Sequence, residues 1–279
     1  MSEKFRKAAF LGLIVLLVAV AVPQDIEEPD TCSPTLEQSA KGSVDNFLRA
    51  YQAGGIDTAI KRDFWLVYDL LNYAGILAER HDTRVVKPLI ELLKDTTRFD
   101  DDTHSIMAAA LGWLGDTTAV PVLKGCLKRT TREFTRLEAG IALCLLGELR
   151  TGLPVVEEYA KREEPPYSEN FGGGAVTNPF FTGTSWAPIE LPNKEDDKAL
   201  VRYFERVLTY PSEENRIYAI VWLLQKDGAN KELAYQAAID IIENTEPRPY
   251  MGRNRKWVLS ILKRRGGERG KAIAAEYEK

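Results

Sequence analysis

An eight-residue pattern that recurs five times constrains the fold of this 279-residue chain more than any other feature. Each copy opens on arginine or a residue that replaces it, continues through small or apolar residues, and closes on leucine. The copies are Leu70–Leu77, His104–Leu111, Arg136–Leu143, Arg216–Leu223 and Arg255–Leu262. Their starts lie 34, 32, 80 and 39 residues apart. A period of this size predicts a solenoid of stacked helical pairs.

The residues in and after each copy predict two helices per repeat. Small residues in the first helix, such as Ala139, Gly140 and Ala142, allow a neighbouring helix to approach closely. A glycine, Gly115 or Gly147, then supplies the left-handed backbone that ends the first helix. The second helix is expected to follow at once.

Two further helix predictions come from the same periodicity. Prolines near the start of the second helices suit a first turn, where no backbone donor is needed. These prolines are Pro121 and Pro154. Residues 59–79 are predicted to form one strongly apolar helix, and the apolar stripe in residues 82–93 predicts an earlier second helix.

The run Asp82–Leu93 and the copies after it resemble HEAT repeats, in the variant first named from phycobilisome lyases. The resemblance is good from about residue 82 to residue 161. It implies an all-α fold: a right-handed α-solenoid of about five to six HEAT-like helical pairs with one ordered loop insertion. The arginine that opens a repeat in this family is structural. That role carries over to a repeat ladder of Arg136, Arg216 and Arg255, whereas the chain departs from the pattern at His104 and Leu70.

The 80-residue spacing indicates an insertion at about residues 163–194. Its prolines and glycines exclude a long helix, and a flexible linker would lack its aromatic residues. The sequence therefore predicts an ordered loop with Phe180 or Phe181 buried against adjacent helices. Two interpretations remain open, because the aromatics could cover an apolar patch between repeats or could bind a partner. The candidate partner-binding residues are Tyr167, Phe171, Phe180, Phe181 and Trp186.

The first 34 residues are predicted to precede the folded domain. Three basic residues come before the apolar run Ala8–Val22, and Ala19–Ala21 forms an A-x-A site. This order is typical of a secretory signal peptide. Residues 1–21 are therefore predicted as a signal peptide, residues 22–34 as an acidic tether and residues 35–279 as the repeat domain. The expected location is periplasmic or secreted, and an uncleaved N-terminal anchor is the alternative.

The motifs that usually carry chemistry are missing. No H-x-x-x-H, Cys-x-x-Cys or G-x-S-x-G pattern occurs, and Gly172–Gly174 lacks the residues of a phosphate loop. We therefore expect no metal, no cofactor and no catalytic residues. Cys126 and Cys144 fall at apolar helical positions and are predicted to be buried thiols, with a bridge between them as the alternative. The acidic run Asp100–Asp102 predicts a helix cap, supplied by Asp102 or Thr103.

Charge narrows the class of partner. The net charge of −4 argues against a general nucleic-acid binder. Residues 248–279 nevertheless hold ten basic and three acidic residues, which indicates solvated faces of a terminal helical pair or, alternatively, a site for an anionic partner.

The predicted function is a non-catalytic binding or scaffold module of the cell envelope or extracellular space. It would hold a protein or peptide partner on its concave helix face or on the insertion. Two alternatives remain. One is an enzyme or enzyme accessory on a HEAT-like scaffold, and the other is a surface-associated structural component held by the basic C-terminal pair.

Overall fold

A computed structural model describes residues 35–95, 97–162, 194–244 and 252–278, together with the backbone of four two-residue strands between residues 167 and 188. The predicted signal peptide and acidic tether lie outside the described residues. Within the described ranges the chain folds almost entirely into α-helices. No helix in these ranges is both long enough and apolar enough to cross a membrane.

Fourteen α-helices and one short 3-10 helix, Thr117–Ala119, occupy the described residues. The α-helices are α1 (Leu36–Gln52), α2 (Ile56–Arg62), α3 (Trp65–Asn72), α4 (Ala74–Glu79), α5 (Val86–Leu93), α6 (Asp101–Leu114), α7 (Val120–Arg129), α8 (Glu133–Leu145), α9 (Leu149–Ala160), α10 (Lys194–Val207), α11 (Glu213–Gln225), α12 (Lys231–Asn244), α13 (Gly252–Arg265) and α14 (Gly267–Tyr277).

The repeated pattern lies on α6, α8, α11 and α13, and each of these helices is followed by a second helix. The pairs are therefore α6–α7, α8–α9, α11–α12 and α13–α14. First helices also pack on one another, α6 on α8 and α11 on α13, as stacking of repeats requires. The predicted all-α solenoid is confirmed.

Small residues set the closest helix contacts, as predicted. A Cβ atom on Gly112 of α6 would come within 2.6 Å of the Ala142 Cα in α8. On the other side of α8, Gly140 faces Val155 and Gly152 of α9. The predicted glycine stops are also present, because Gly115 and Gly147 have φ of 73° and 83° after α6 and α8.

Helix α8 joins the two apolar cores of the solenoid. Ala139 and Leu143 are fully buried, as predicted, in the core built by the helices before α8. Ile141 and Cys144 belong instead to the core shared with α9 to α14. Burial on several sides explains why this helix is apolar over most of its circumference.

Three helix predictions were wrong in detail. Residues 59–79 do not form one helix, because extended backbone at Asp63 and a break at Tyr73 divide the segment among α2, α3 and α4. The helix predicted from residue 82 begins only at Val86, because the Asp82 side chain accepts from the backbone and the side chain of Arg84 and holds the residues before Val86 in a separate turn. Pro154 lies inside α9 and not in its first turn, because that helix already begins at Leu149.

The spacing of 80 residues between the third copy, which starts at Arg136, and the fourth, which starts at Arg216, has two sources. One is helix α10, which lies between α9 and α11. The other is the insertion, where Tyr167–Ser168 pairs with Gly172–Gly173 and Phe181–Thr182 pairs with Ala187–Pro188, both antiparallel. The last strand lies beside α11. The side chains of the insertion lie outside the described residues.

Candidate functional site

The side of α8 that faces away from its paired helices is the best candidate site. Arg136 points to α7, Gly140 to α9 and Ala142 to α6. Successive residues of a helix are rotated by about 100° around its axis. Glu138 therefore points to a different side of α8, and three apolar residues point within about 60° of the same direction. We call this side the inner face of α8. It comprises Phe134, Glu138, Ile141 and Leu145.

This inner face is lined by apolar side chains that keep partial contact with solvent. Ile141 is the exception, because it is 2% exposed and packs in the core shared with α9 to α14. Phe134, Glu138 and Leu145 are each partly exposed. Binding sites are typically apolar surfaces with a few polar groups: the apolar area supplies affinity, and the polar groups fix the orientation of the ligand. The strip of apolar side chains around the Glu138 carboxyl group has this composition.

Glu138 has no hydrogen bond or ion pair among the described residues. Burial raises the pKa of its carboxyl group to about 7, because the surrounding protein disfavours the charged form. The residue as a whole is nevertheless partly exposed to solvent.

Three of the four other copies place an apolar or aromatic side chain where α8 has Glu138. Counted from the start of each copy, these residues are Ile106, Tyr218 and Trp257, whereas the Leu70–Leu77 copy has the exposed Asn72. Glu138 is the one charged residue at this position of the five copies. An acid at a position that is apolar or aromatic in most copies breaks the local rule for core packing, and such exceptions concentrate at functional sites. Sequence reasoning missed Glu138, although alignment of the copies would have revealed it.

The corresponding side of α11 and α13 carries an aromatic pair. The rings of Tyr218 and Trp257 meet edge to face, with centroids 5.5 Å apart. Burial raises the pKa of the Tyr218 hydroxyl, and the nearby carboxylate of Glu214 adds to this effect. The third position of the copies is thus occupied by packed aromatic rings in the C-terminal repeats and by the carboxyl group of Glu138 in the middle of the array.

The three repeat arginines all contact the second helix of their own pair. Arg136 donates to the Leu127 carbonyl at 3.1 Å and lies 3.5 Å from the Glu158 carboxylate in α9. Arg216 binds Asp240 in α12 and holds the pKa of that carboxyl group below its usual range. Arg255 donates to the Tyr277 carbonyl in α14 at 3.1 Å. Their energetic role as a ladder remains a prediction.

His104 serves a different purpose from these arginines. It is fully buried, with Nε2 2.9 Å from the Asp95 carbonyl oxygen and Nδ1 2.9 Å from that of Asp100. Arg132, just before α8, donates to the Phe99 carbonyl in the same loop. His104 therefore binds the loop before α6, whereas the arginines at the equivalent position of the later copies contact the second helix of their pair.

The acidic run caps two helices. The cap predicted at Asp102 or Thr103 was wrong, because the Asp100 side chain accepts from the Thr103 backbone at 2.8 Å and caps α6 itself. Asp101 reaches across to α8 and accepts from the backbone N–H groups of Phe134 and Thr135 at 3.1 and 2.9 Å. It also accepts from the Thr135 hydroxyl at 2.6 Å. One carboxylate therefore ties neighbouring repeats together.

Asp101→Ala is expected to lower the free energy of unfolding by about 2 kcal/mol, because it leaves the N-terminus of α8 without its carboxylate and leaves the buried Thr135 hydroxyl only the Asp101 carbonyl at 3.3 Å. Urea unfolding followed by circular dichroism measures this change. Asp101→Asn keeps one acceptor oxygen and should lose less. Equal stability of Asp101→Ala and the wild type would show that this cap contributes nothing.

A second link joins α9 to α10. Glu157 accepts from Arg206 Nε and Nη2, each at 3.0 Å, and Tyr210 donates its hydroxyl proton to the same carboxylate. These hydrogen bonds, led by that of Arg206, lower the pKa of Glu157 to about 2 against the partial opposition of burial. The carboxylate is only 18% exposed, whereas Arg206 is 48% exposed.

The Glu157 link should make stability depend on acid. The folded pKa lies below the unfolded value of about 4.3, so the stabilisation is present above that pH and is lost as the pH falls towards 2. After allowance for the exposure of Arg206, Glu157→Gln should cost about 1–2 kcal/mol at pH 7 and almost nothing near pH 2. Urea unfolding across this range tests the prediction, and a pH-independent difference would contradict it.

The basic C-terminal helices use many of their charges internally. Lys263 pairs with Glu278, Arg269 with Glu232 and Lys271 with Glu268. Together with the Arg255 contact, these pairs favour the interpretation as solvated faces of a terminal helical pair over a dedicated anionic site.

The chemistry-bearing residues of the described part are dispersed. It contains no group of three or more His, Cys, Asp or Glu side chains placed to hold a metal ion. Cys126 and Cys144 are buried free thiols, so the predicted unbridged state is confirmed. Burial raises the pKa of Cys126 to about 11 and also raises that of Cys144. Both thiols are therefore poor nucleophiles at neutral pH.

The predicted partner-binding aromatics cannot be placed in this site. The side chains of all five, in the insertion, lie outside the described residues. Only the backbone of Tyr167 and Phe181 belongs to described strands. Their role stays a prediction.

Comparison with known proteins supports the repeat architecture. The family model of HEAT repeats matches residues 68–144, which run from within α3 into α8 and include Glu138. Over this stretch the chain is similar to HEAT repeats. A search of curated proteins found no match.

Proposed function

We propose that this protein is a non-catalytic protein-interaction scaffold of the cell envelope or extracellular space, and that the inner face of α8 contacts its partner. HEAT repeats generally serve as scaffolds for protein interactions. The observation that carries the proposal is the partly open strip of Phe134, Glu138 and Leu145 in the middle of an otherwise closely packed array.

Site-specific photocrosslinking in the native host tests this proposal. A photoreactive phenylalanine analogue replaces Leu145 on the inner face, and the matched control replaces the exposed Lys128 on α7, in the preceding repeat pair. We expect a discrete crosslinked protein from the Leu145 position and none from the Lys128 position. Absence of any crosslink at Leu145 and at a second inner-face position, Phe134, would overturn the proposal.

The insertion is the other surface proposed to bind. Its aromatic residues can provide large contact area with little loss of side-chain entropy. Deleting residues 167–188 and joining the ends with a short Gly/Ser bridge should remove partners that bind there, provided that circular dichroism shows an intact helical fold. Unchanged crosslinking at Leu145 in this variant would assign the contact to the helices alone.

Export is proposed on the basis of the basic, apolar and A-x-A order of residues 1–21. Intact-mass analysis of protein from the native host should give a species that begins near Val22 in the envelope or medium. A full-length species in the membrane pellet would indicate an anchor, and a full-length species in the cytosol would overturn export.

A further inference from the structure

We propose that Glu138 is the recognition residue of this scaffold and that it pairs with a lysine or arginine side chain from a partner polypeptide whose flanking residues are apolar. The inference rests on the proposed function and deepens it by naming the chemistry of the partner. Three independent features of the described residues support it.

The first feature is position. Glu138 lies on the one side of α8 that is not occupied by α6, α7 or α9, since Ala142, Arg136 and Gly140 point to those helices. Phe134 and Leu145 lie on the same side and are partly exposed, and Ile141 beside them is buried in the core shared with α9 to α14. A long basic side chain fits such a place well, because its methylene stem packs against apolar surface while its charged end reaches the carboxylate.

The second feature is the missing counter-charge. Several carboxylates that link helices of the array are matched, as Asp101 is by the α8 N-terminus, Glu157 by Arg206 and Asp240 by Arg216. Glu138 has no such partner among the described residues. Residues 163–193 contain no lysine, arginine or histidine, so the insertion cannot supply a cation from within the chain.

The third feature is the cost of keeping an acid there. Three of the four equivalent residues, Ile106, Tyr218 and Trp257, are apolar or aromatic and the fourth is an uncharged asparagine, so packing alone does not call for a carboxyl group. Burial opposes ionisation of Glu138 in the free protein and raises its pKa to about 7. A cation that arrives with a partner would reverse this effect, because a nearby opposite charge favours the ionised form.

Defined peptides test the proposal. The probes are nine-residue peptides, blocked at both ends, with a central lysine or arginine between leucine and phenylalanine residues, and a matched set with glutamine at the centre. We expect the wild-type protein to bind the best basic peptides at least tenfold more tightly than their glutamine counterparts, measured by fluorescence anisotropy. Equal affinity for both sets would overturn the proposal.

Two variants assign the effect to one residue. Glu138→Gln removes the charge with almost no change of shape and should abolish the tenfold preference. Glu79→Gln removes the same charge from an exposed position on α4 and should leave the preference intact. A preference that survives Glu138→Gln would overturn the assignment. Full loss in Glu79→Gln would show a general electrostatic effect and would equally overturn it.

A spectroscopic readout on the wild type removes any dependence on how the variants fold. With the glutamate carboxyl carbons labelled with ¹³C, the titration of Glu138 should move to lower pH when a basic peptide binds and should stay in place with the glutamine peptide. No movement on saturation would overturn the proposal. A partner that crosslinks at Leu145 yet binds Glu138→Gln equally well would refute this inference and leave the scaffold function standing.

Discussion

Leu143→Ala is expected to lower the free energy of unfolding by about 2–5 kcal/mol, the range for removing a fully buried leucine and leaving a cavity. The side chain has 0% exposure and lies in the core between α8 and the preceding helices. Packing in this array leaves little room for collapse, because α6 and α8 already touch at Gly112 and Ala142. We therefore expect a value in the upper part of that range.

The measurement is urea unfolding, with hydrogen exchange to locate the damage. Repeats mainly stabilise their neighbours, so exchange should accelerate most in α6 to α9 and least in α13 and α14. Leu36→Ala is the matched control, since that leucine is 69% exposed and should change stability by less than about 0.5 kcal/mol. An equal effect of both substitutions would show that the register of α8 is misassigned.

Gly152→Ala is expected to cost about 3 kcal/mol or more, at the upper end of overpacking effects. A Cβ atom at this position would lie 2.3 Å from the Gly140 carbonyl oxygen and 2.8 Å from the Cys144 sulfur. The oxygen belongs to the backbone of α8, so it cannot rotate away as a flexible side chain would. The two helices of the repeat must separate to admit the methyl group.

Thermal unfolding of Gly152→Ala beside Gly75→Ala separates this clash from the general effect of replacing glycine. Gly75 lies in α4 with open space around it, so alanine there should stabilise the protein by about 0.4–1 kcal/mol. The two substitutions should thus have opposite signs. A neutral Gly152→Ala would mean that α8 and α9 pack less closely than described.

The candidate site was predicted from the sequence only in outline. The helix that carries it, and the burial of Ala139 and Leu143, followed from periodicity, because a 3.6-residue repeat assigns side chains to faces without knowledge of the partner helices. Glu138 was overlooked because its meaning depends on the absence of a counter-charge nearby in space. Likewise, the cap from Asp101 to α8 joins residues more than thirty positions apart, which local capping rules do not consider.

By itself, the sequence determined the repeat architecture, the close helix contacts at small residues and the glycine stops after α6 and α8. Each of these depends on local backbone preference or on a regular spacing of apolar residues. Only the tertiary structure decided where α2, α3 and α4 break, that α10 adds a helix between two repeats, and which charges remain unpaired. These features depend on contacts between segments that are distant in the chain. Whether two charged side chains form a pair is decided by their distance in space and not by their separation in the sequence.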